Sequence, residues 1–140
     1  MKNVRIKSIY WLFPILSVCL VLVDQFTKML AISNLKNQDA IVLIDGVLEL
    51  SYLQNYGMAF GMLEGKITFL VLFCLLFLIL AMYFFVKIPK TLFYTPILLT
   101  EMILVAGAIG NLIDRIFRGY VVDFIYFKII NFIQKTAFRI

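Results

Sequence analysis

Ile67-Thr68-Phe69-Leu70-Val71-Leu72-Phe73-Cys74-Leu75-Leu76-Phe77-Leu78-Ile79-Leu80-Ala81-Met82-Tyr83-Phe84-Phe85-Val86 is an unbroken stretch without a single charge. At a rise of 1.5 Å per residue it forms a helix about 30 Å long, the thickness of a bilayer's hydrocarbon layer. Lys87-Ile88-Pro89-Lys90 closes it with two cations and a helix breaker. This run reads as a membrane span, and its neighbours in the chain extend the reading. Leu92 to Phe117 is a second long apolar run, less pure because Glu101, Asn111 and Asp114 lie inside it. Polar groups at such depth belong on a protein interior or a polar cavity, not on the lipid face. Upstream, an apolar run from about residue 9 to residue 32 follows a basic start and carries Asp24 and Lys28. A cleaved leader is the competing reading of that start. The length of the run, its two charges and the lack of a small-residue cleavage site disfavour it.

Composition agrees. Of the 140 residues 64% are hydrophobic, and the mean hydropathy is +1.02. A soluble domain of this size cannot bury so much apolar surface. The net charge of +5 is spread in a way that excludes a nucleic-acid stripe. Lys2, Arg5 and Lys7 precede the first span, and Lys87 and Lys90 sit in a short loop. Such placement orients a membrane protein, basic loops to the cytoplasm. Two spans separate the basic sites, so both fall on one side, with segment 34–66 and the residues after about 115 outside. Cys19 and Cys74 lie in apolar runs and read as small hydrophobes. The chain has no histidine, which excludes Ser-His-Asp, Cys-His and His-zinc chemistry.

The fold class expected is an α-helical integral membrane protein, one membrane domain over residues 1–140. Three transmembrane helices are expected at about 9–32, 67–86 and 92–117, with a small β-rich cap on the outer face. That cap comes from segment 34–66, where Ile41-Val42-Leu43-Ile44, a turn at Asp45-Gly46 and Val47 to Leu53 read as two strands. Gly57 and Gly61 flank Ala59-Phe60 and suggest a tight turn. Residues 124–140 are expected to be an irregular or amphipathic tail.

Carboxylates must carry any chemistry. Asp39, Asp45, Glu49 and Glu64 read as solvated or turn residues. Asp24 and Lys28 are four apart on one helix face, as a structural pair or as the brace of a site. Asn111 and Asp114 share a face, Arg115 is adjacent, and Gly107 and Gly110 before them permit close helix approach. These three form either a polar interhelical cluster or the wall of an active site. Asp123, in Gly119-Tyr120-Val121-Val122-Asp123-Phe124, is an acid in an apolar run, suited to act as general acid or base.

Three segments resemble the lipoprotein signal peptidase (signal peptidase II) family. Asp24-Gln25-Phe26-Thr27-Lys28 is similar to its D-x-x-x-K segment. Gln54-Asn55-Tyr56-Gly57-Met58-Ala59-Phe60-Gly61 is similar to its N-x-G-A-A-F-G segment, with Met58 where alanine is common. The third, Gly110-Asn111-Leu112-Ile113-Asp114-Arg115 followed by Val121-Val122-Asp123-Phe124, is similar to its N-x-x-D-R and V-V-D-F. The order and the spans between them make the match specific over roughly Tyr10 to Phe127. The resemblance implies an intramembrane aspartyl endopeptidase that removes the signal peptide from diacylglyceryl-modified prolipoproteins. It implies no metal and no cofactor. Asp123 would be catalytic, and Asp24, Lys28, Asn55, Gly57, Asn111, Asp114 and Arg115 would shape the site or hold substrate. The implied partners are a lipidated prolipoprotein and the phospholipid bilayer, not nucleic acid, with the chain a monomer. The implied place is the bacterial inner (cytoplasmic) membrane, multi-pass, N-terminus cytoplasmic, active site at the outer face. The family pattern continues with an F-N-x-A-D segment, whose aspartate is the second catalytic residue, and a fourth span. No acid follows Asp123 here. The expectation is a chain shortened or shifted in frame before that segment, with impaired hydrolysis. The alternative is a catalytically dead membrane protein that binds lipidated segments.

Overall fold

The computed structural model describes residues 11–58 and 62–128. Its elements run in the order α1 (Leu12–Leu35), β1 (Ile41–Ile44), β2 (Leu48–Asn55), α2 (Ile67–Lys87), α3 (Thr95–Arg118) and β3 (Val121–Phe127), with one 3-10 turn (Leu92–Tyr94) leading into α3. All three helices are long and apolar enough to cross a membrane. At 24 residues, α1 and α3 are each about 36 Å long. Their surfaces invert the soluble pattern. Leu22, Val23 and Phe26 on α1 and Leu72, Leu76 and Ile79 on α2 are exposed, as lipid-facing side chains are.

Sequence punctuation explains the ends. Pro14 and Pro96 sit in first turns, where a missing N–H leaves no bond unmade. Ile88 leaves α2 in extended backbone, and Pro89 follows it. Gly119 ends α3 in the left-handed region at φ 79°, and its N–H returns to the Arg115 carbonyl. That conformation suits glycine. Arg115 and Arg118 occupy the last turn, where cations meet the helix's negative pole.

Two small apolar cores hold the fold. Phe13, Phe85, Leu98 and Met102 join the three helices at one end. Ala31 and Leu35 of α1 pack on Val122 of β3 at the other, flanked by Ile32, Leu50, Tyr52, Tyr120 and Phe124. The strands form one antiparallel sheet in the order β1-β2-β3. The β1–β2 hairpin turns at Asp45-Gly46 as the sequence predicts, with Gly46 at φ 69°.

Two corrections concern the sequence reading. Residues 124–127, expected to begin an irregular or amphipathic tail, belong to β3 and pair with β2, Leu48 opposite Phe127 and Asn55 opposite Val121. Val122 and Phe124 are held against α1 while Ile125, Tyr126 and Phe127 are exposed, so apolar residues on both faces hide the strand's two-residue period. Gly107, expected beside Gly110 at a close helix approach, is exposed, and a Cβ there meets nothing within 4 Å. Residues 129–140 of the expected tail, and the Ala59–Gly61 part of the expected tight turn, lie outside the described residues.

Candidate active site

At the sheet end of the bundle, α1 and α3 meet through charge. Lys28 is almost fully buried, and its ammonium reaches three oxygens: Asn111 Oδ1 at 3.0 Å, Asp114 Oδ2 at 3.0 Å and Asp24 Oδ2 at 3.1 Å. The i,i+4 and i,i+3 spacings seen in the sequence bring this about, because each helix turns its pair toward the other. Gly110 makes the approach possible. A Cβ there would lie 2.2 Å from Asp24 Oδ2.

Asp114 is completely buried and saturated. Oδ2 accepts from Lys28 and from the Val122 N–H at 3.1 Å. Oδ1 accepts from Arg118 and from Gln25 Nε2 at 3.3 Å. A buried carboxylate is tolerated only when paired and hydrogen-bonded, and this one is both. Its bond to Val122 fixes the start of β3 one residue before Asp123.

Asp123 has a different setting. It is half-buried on β3, and Asp123 Oδ2 accepts from Asn55 Nδ2 of β2 at 2.7 Å. Asn55 is itself held, since its Oδ1 accepts the Gly57 N–H at 2.9 Å. Arg115 closes the chain of contacts by donating to the Gly57 carbonyl at 3.0 Å. Gly57 is buried, and a Cβ there would lie 2.6 Å from the Met62 carbonyl, so no larger residue fits this loop. Arg115 Nε is buried without an acceptor among the described residues. Beside it a cavity of about 260 Å³ opens between α2 and α3. Leu70, Phe73 and Phe77 form its apolar wall, and Asn111 and Arg115 its polar one.

A tyrosine cluster flanks the sheet. The Tyr52 and Tyr120 hydroxyls share a hydrogen bond of 3.0 Å, and Gln54 Nε2 donates to Tyr52 at 3.1 Å. The bond to Tyr52, and then burial, push the Tyr120 hydroxyl above its ordinary 10.0.

All eight residues singled out in the sequence lie at this end. They form two linked groups: Asp24, Lys28, Asn111 and Asp114 between helices, and Asn55, Gly57, Arg115 and Asp123 around the sheet. Arg115 does not pair with Asp114, consistent with their adjacency on a helix. Two members escape sequence reading. Gln25 Nε2 also reaches the Gly110 carbonyl at 3.2 Å, and Gln25 Oε1 accepts from Arg118 at 3.1 Å. The i,i+4 spacing of Asp114 and Arg118 was the available signal for one of them.

The fold and the site thus define a multi-pass membrane protein with a buried ionic core at one end and a sheet-borne acid beside it. Residues 16–140 match the family described as Signal peptidase (SPase) II. A lipoprotein signal peptidase of Caldanaerobacter subterraneus subsp. tengcongensis is 40% identical over 117 residues, 84% of this chain and 79% of the relative. One of Fusobacterium nucleatum subsp. nucleatum is 36% identical over 117 residues, covering 84% and 70%. A solved structure described as a bacterial membrane enzyme superposes with a TM-score of 0.76 at 34% identity, covering 94% of this chain and 77% of that one. The chain belongs to the signal peptidase II family.

Proposed function

We propose that this chain acts on diacylglyceryl-modified prolipoproteins at the outer face of the bacterial inner membrane, with Asp123 as its catalytic carboxylate. Family membership supports removal of signal peptides as the reaction class. The observation that carries the assignment to Asp123 is the contrast among the acids at the site. Asp24 and Asp114 are ion-paired to Lys28, whereas Asp123 accepts one neutral hydrogen bond and has no cation within 4.0 Å among the described residues. A carboxylate whose oxygens are filled by cations and hydrogen bonds has little left to offer a water; one held by a single amide keeps an oxygen free. In this reading Asn55 holds one oxygen of Asp123 and leaves the other to take a proton from water. The water oxygen bonds to the scissile carbonyl carbon. The C–N bond then breaks as the leaving nitrogen takes the proton that Asp123 accepted. The cavity lined by Leu70, Phe73, Asn111 and Arg115 suits a substrate with an apolar chain and a polar junction.

Asp24 and Asp114 are both ion-paired to Lys28, so neither is free to assist Asp123, which favours a second reading, a chain that binds lipidated segments and hydrolyses them poorly. One experiment separates the two. The purified chain and its Asp123→Asn variant are incubated with a diacylglyceryl-modified prolipoprotein, and cleavage is followed by gel shift and binding by co-purification. Cleavage by the first alone supports the peptidase. Binding by both with cleavage by neither supports the binder. Equal cleavage by both sinks the role of Asp123.

A further inference from the structure

Glu101 has no part in the site at the sheet end. It lies in the second turn of α3, inside an apolar span, where an ionisable group is rare and is kept for a partner. Both of its carboxylate oxygens are buried, and neither has a hydrogen-bond partner among the described residues. Lys90 acts on it through space, but the Lys90 ammonium sits on the Phe85 and Ile88 carbonyls at the end of α2. A buried carboxylate without a bonded partner gains from a cation that reaches it.

Its place says which cation. Glu101 lines the cavity of about 560 Å³ between α2 and α3, together with Phe77, Phe84, Ile97 and Leu104. Phe77 also lines the cavity beside Arg115, so the two are successive stretches of one groove. On α3, Glu101, Leu104, Ala108, Asn111 and Arg115 follow one another at steps of three or four and share one helix face. Between its ends the groove is mainly apolar. Its charges stand at the ends, Arg115 near Gly57 and Glu101 far from it. Glu101 precedes Asn111 by ten positions and Arg115 by fourteen, about 15 and 21 Å along the helix. A signal peptide carries a basic n-region and then an apolar stretch of about 7–15 residues. As a helix that stretch is about 10–22 Å long. With the bond to be cut at the Asn111–Arg115 end, the n-region of such a helix falls beside Glu101.

We infer that Glu101 receives the basic n-region of the signal peptide, pairing with a lysine or arginine there while the apolar stretch lies as a helix along the α2–α3 groove. This rests on the chain acting on prolipoproteins, and on the orientation that puts the α2–α3 loop and the n-region together in the cytoplasm. Apolar contact alone fixes neither the register nor the direction of a helix in a bilayer, since lipid is as apolar as leucine. One ion pair at the far end of the groove fixes both. Glu101 touches no reacting atom; it selects which signal peptides are held and sets how far along the groove they lie.

The test is a cycle of affinities on the full chain reconstituted in lipid nanodiscs. Two fluorescent diacylglyceryl-modified prolipoproteins, both blocked at the N-terminus, are titrated against the wild-type chain and its Glu101→Gln variant. One keeps its basic n-region, and the other has every lysine and arginine there replaced by glutamine. The pairing predicts that Glu101→Gln weakens the basic substrate about tenfold and leaves the neutral one unchanged. A third substrate with glutamates in the n-region is expected to bind Glu101→Lys better than the wild-type chain. Equal weakening of the first two substrates by Glu101→Gln, or of neither, overturns the inference and leaves the prolipoprotein reading standing. Failure of the wild-type chain to bind either defeats that reading and the inference with it. A photoreactive amino acid in place of Leu104 checks the groove separately. Cross-linking to the apolar stretch of the signal peptide is expected. Cross-links confined to lipid, to a second copy or to another part of the same chain overturn the inference.

Discussion

The two seams along α3 are built differently. Against α1, the contact is polar along its length. Ser17 Oγ donates to the Met102 carbonyl at 3.1 Å, Gln25 to the Gly110 carbonyl, and Lys28 to Asn111 and Asp114. Against α2, Cys74 Sγ makes a weak hydrogen bond to the Ala108 carbonyl at 3.3 Å. Two open cavities, of about 560 and 260 Å³, lie along that seam. Lipid is as apolar as leucine, so apolar side chains give helices little reason to associate in a bilayer. Polar groups and close approach do. The α1–α3 seam is thus the specified one and carries the site, while α2 is placed mainly by its apolar length.

Asp114 tests this most severely. Asp114→Ala leaves Lys28 and Arg118 facing each other without their shared carboxylate and strips the Val122 N–H of its acceptor. A loss of about 3–5 kcal/mol is expected, the usual cost of breaking a buried pair from one side. Denaturation by sodium dodecyl sulfate in mixed micelles measures it. A loss near that of an ordinary surface change would mean that the polar seam does not hold the helices.

The glycines sharpen the comparison. Gly110→Ala drives a methyl into Asp24, which must swing away and give up Lys28. Because Asp24 is a flexible, partly exposed side chain, the expected loss is only about 1 kcal/mol. Gly107→Ala, one turn earlier and facing open space, is expected to be neutral or slightly stabilising. Equal effects at the two positions in the same micelle assay would remove the close approach from the argument.

These residues also show what the sequence made legible. The uncharged run 67–86 and the polar residues at helical spacing were readable because a helix repeats in a fixed way and lipid penalises charge. The same-face pairs Asp24–Lys28 and Asn111–Asp114 were legible, but that Lys28 meets Asn111 and Asp114 emerges only from the packing of α1 on α3. β3 was not readable, since Val121-Val122-Asp123-Phe124-Ile125-Tyr126-Phe127 has one polar residue and no alternation to mark it. Gln25 was missed because nothing local distinguishes a glutamine that bridges two helices from one that faces lipid headgroups. Asp123 was picked out as an acid in an apolar run, but its Asn55 partner emerges only from the antiparallel register of β2 and β3.

On the weak seam, Cys74→Ala is expected to cost about 0.6 kcal/mol, the average of interhelical hydrogen bonds in membranes. A loss comparable to that of Asp114→Ala would make the two seams alike.

The smallest effect concerns how firmly the sheet is tied at the strong end. Tyr120, between α3 and β3, has its hydroxyl held above 10.0, first by the bond to Tyr52. The folded protein therefore keeps that proton more tightly than the unfolded chain does. The stabilisation is complete below pH 10.0 and is lost as pH rises through the higher folded value. Tyr52→Phe removes the hydroxyl partner and should bring the Tyr120 titration down toward 10.0. Phenolate absorbance, read as the difference between each protein and its Tyr120→Phe counterpart, isolates that group. An unchanged titration would assign the shift to burial and leave the tyrosine bond without a part in fastening the sheet to the seam.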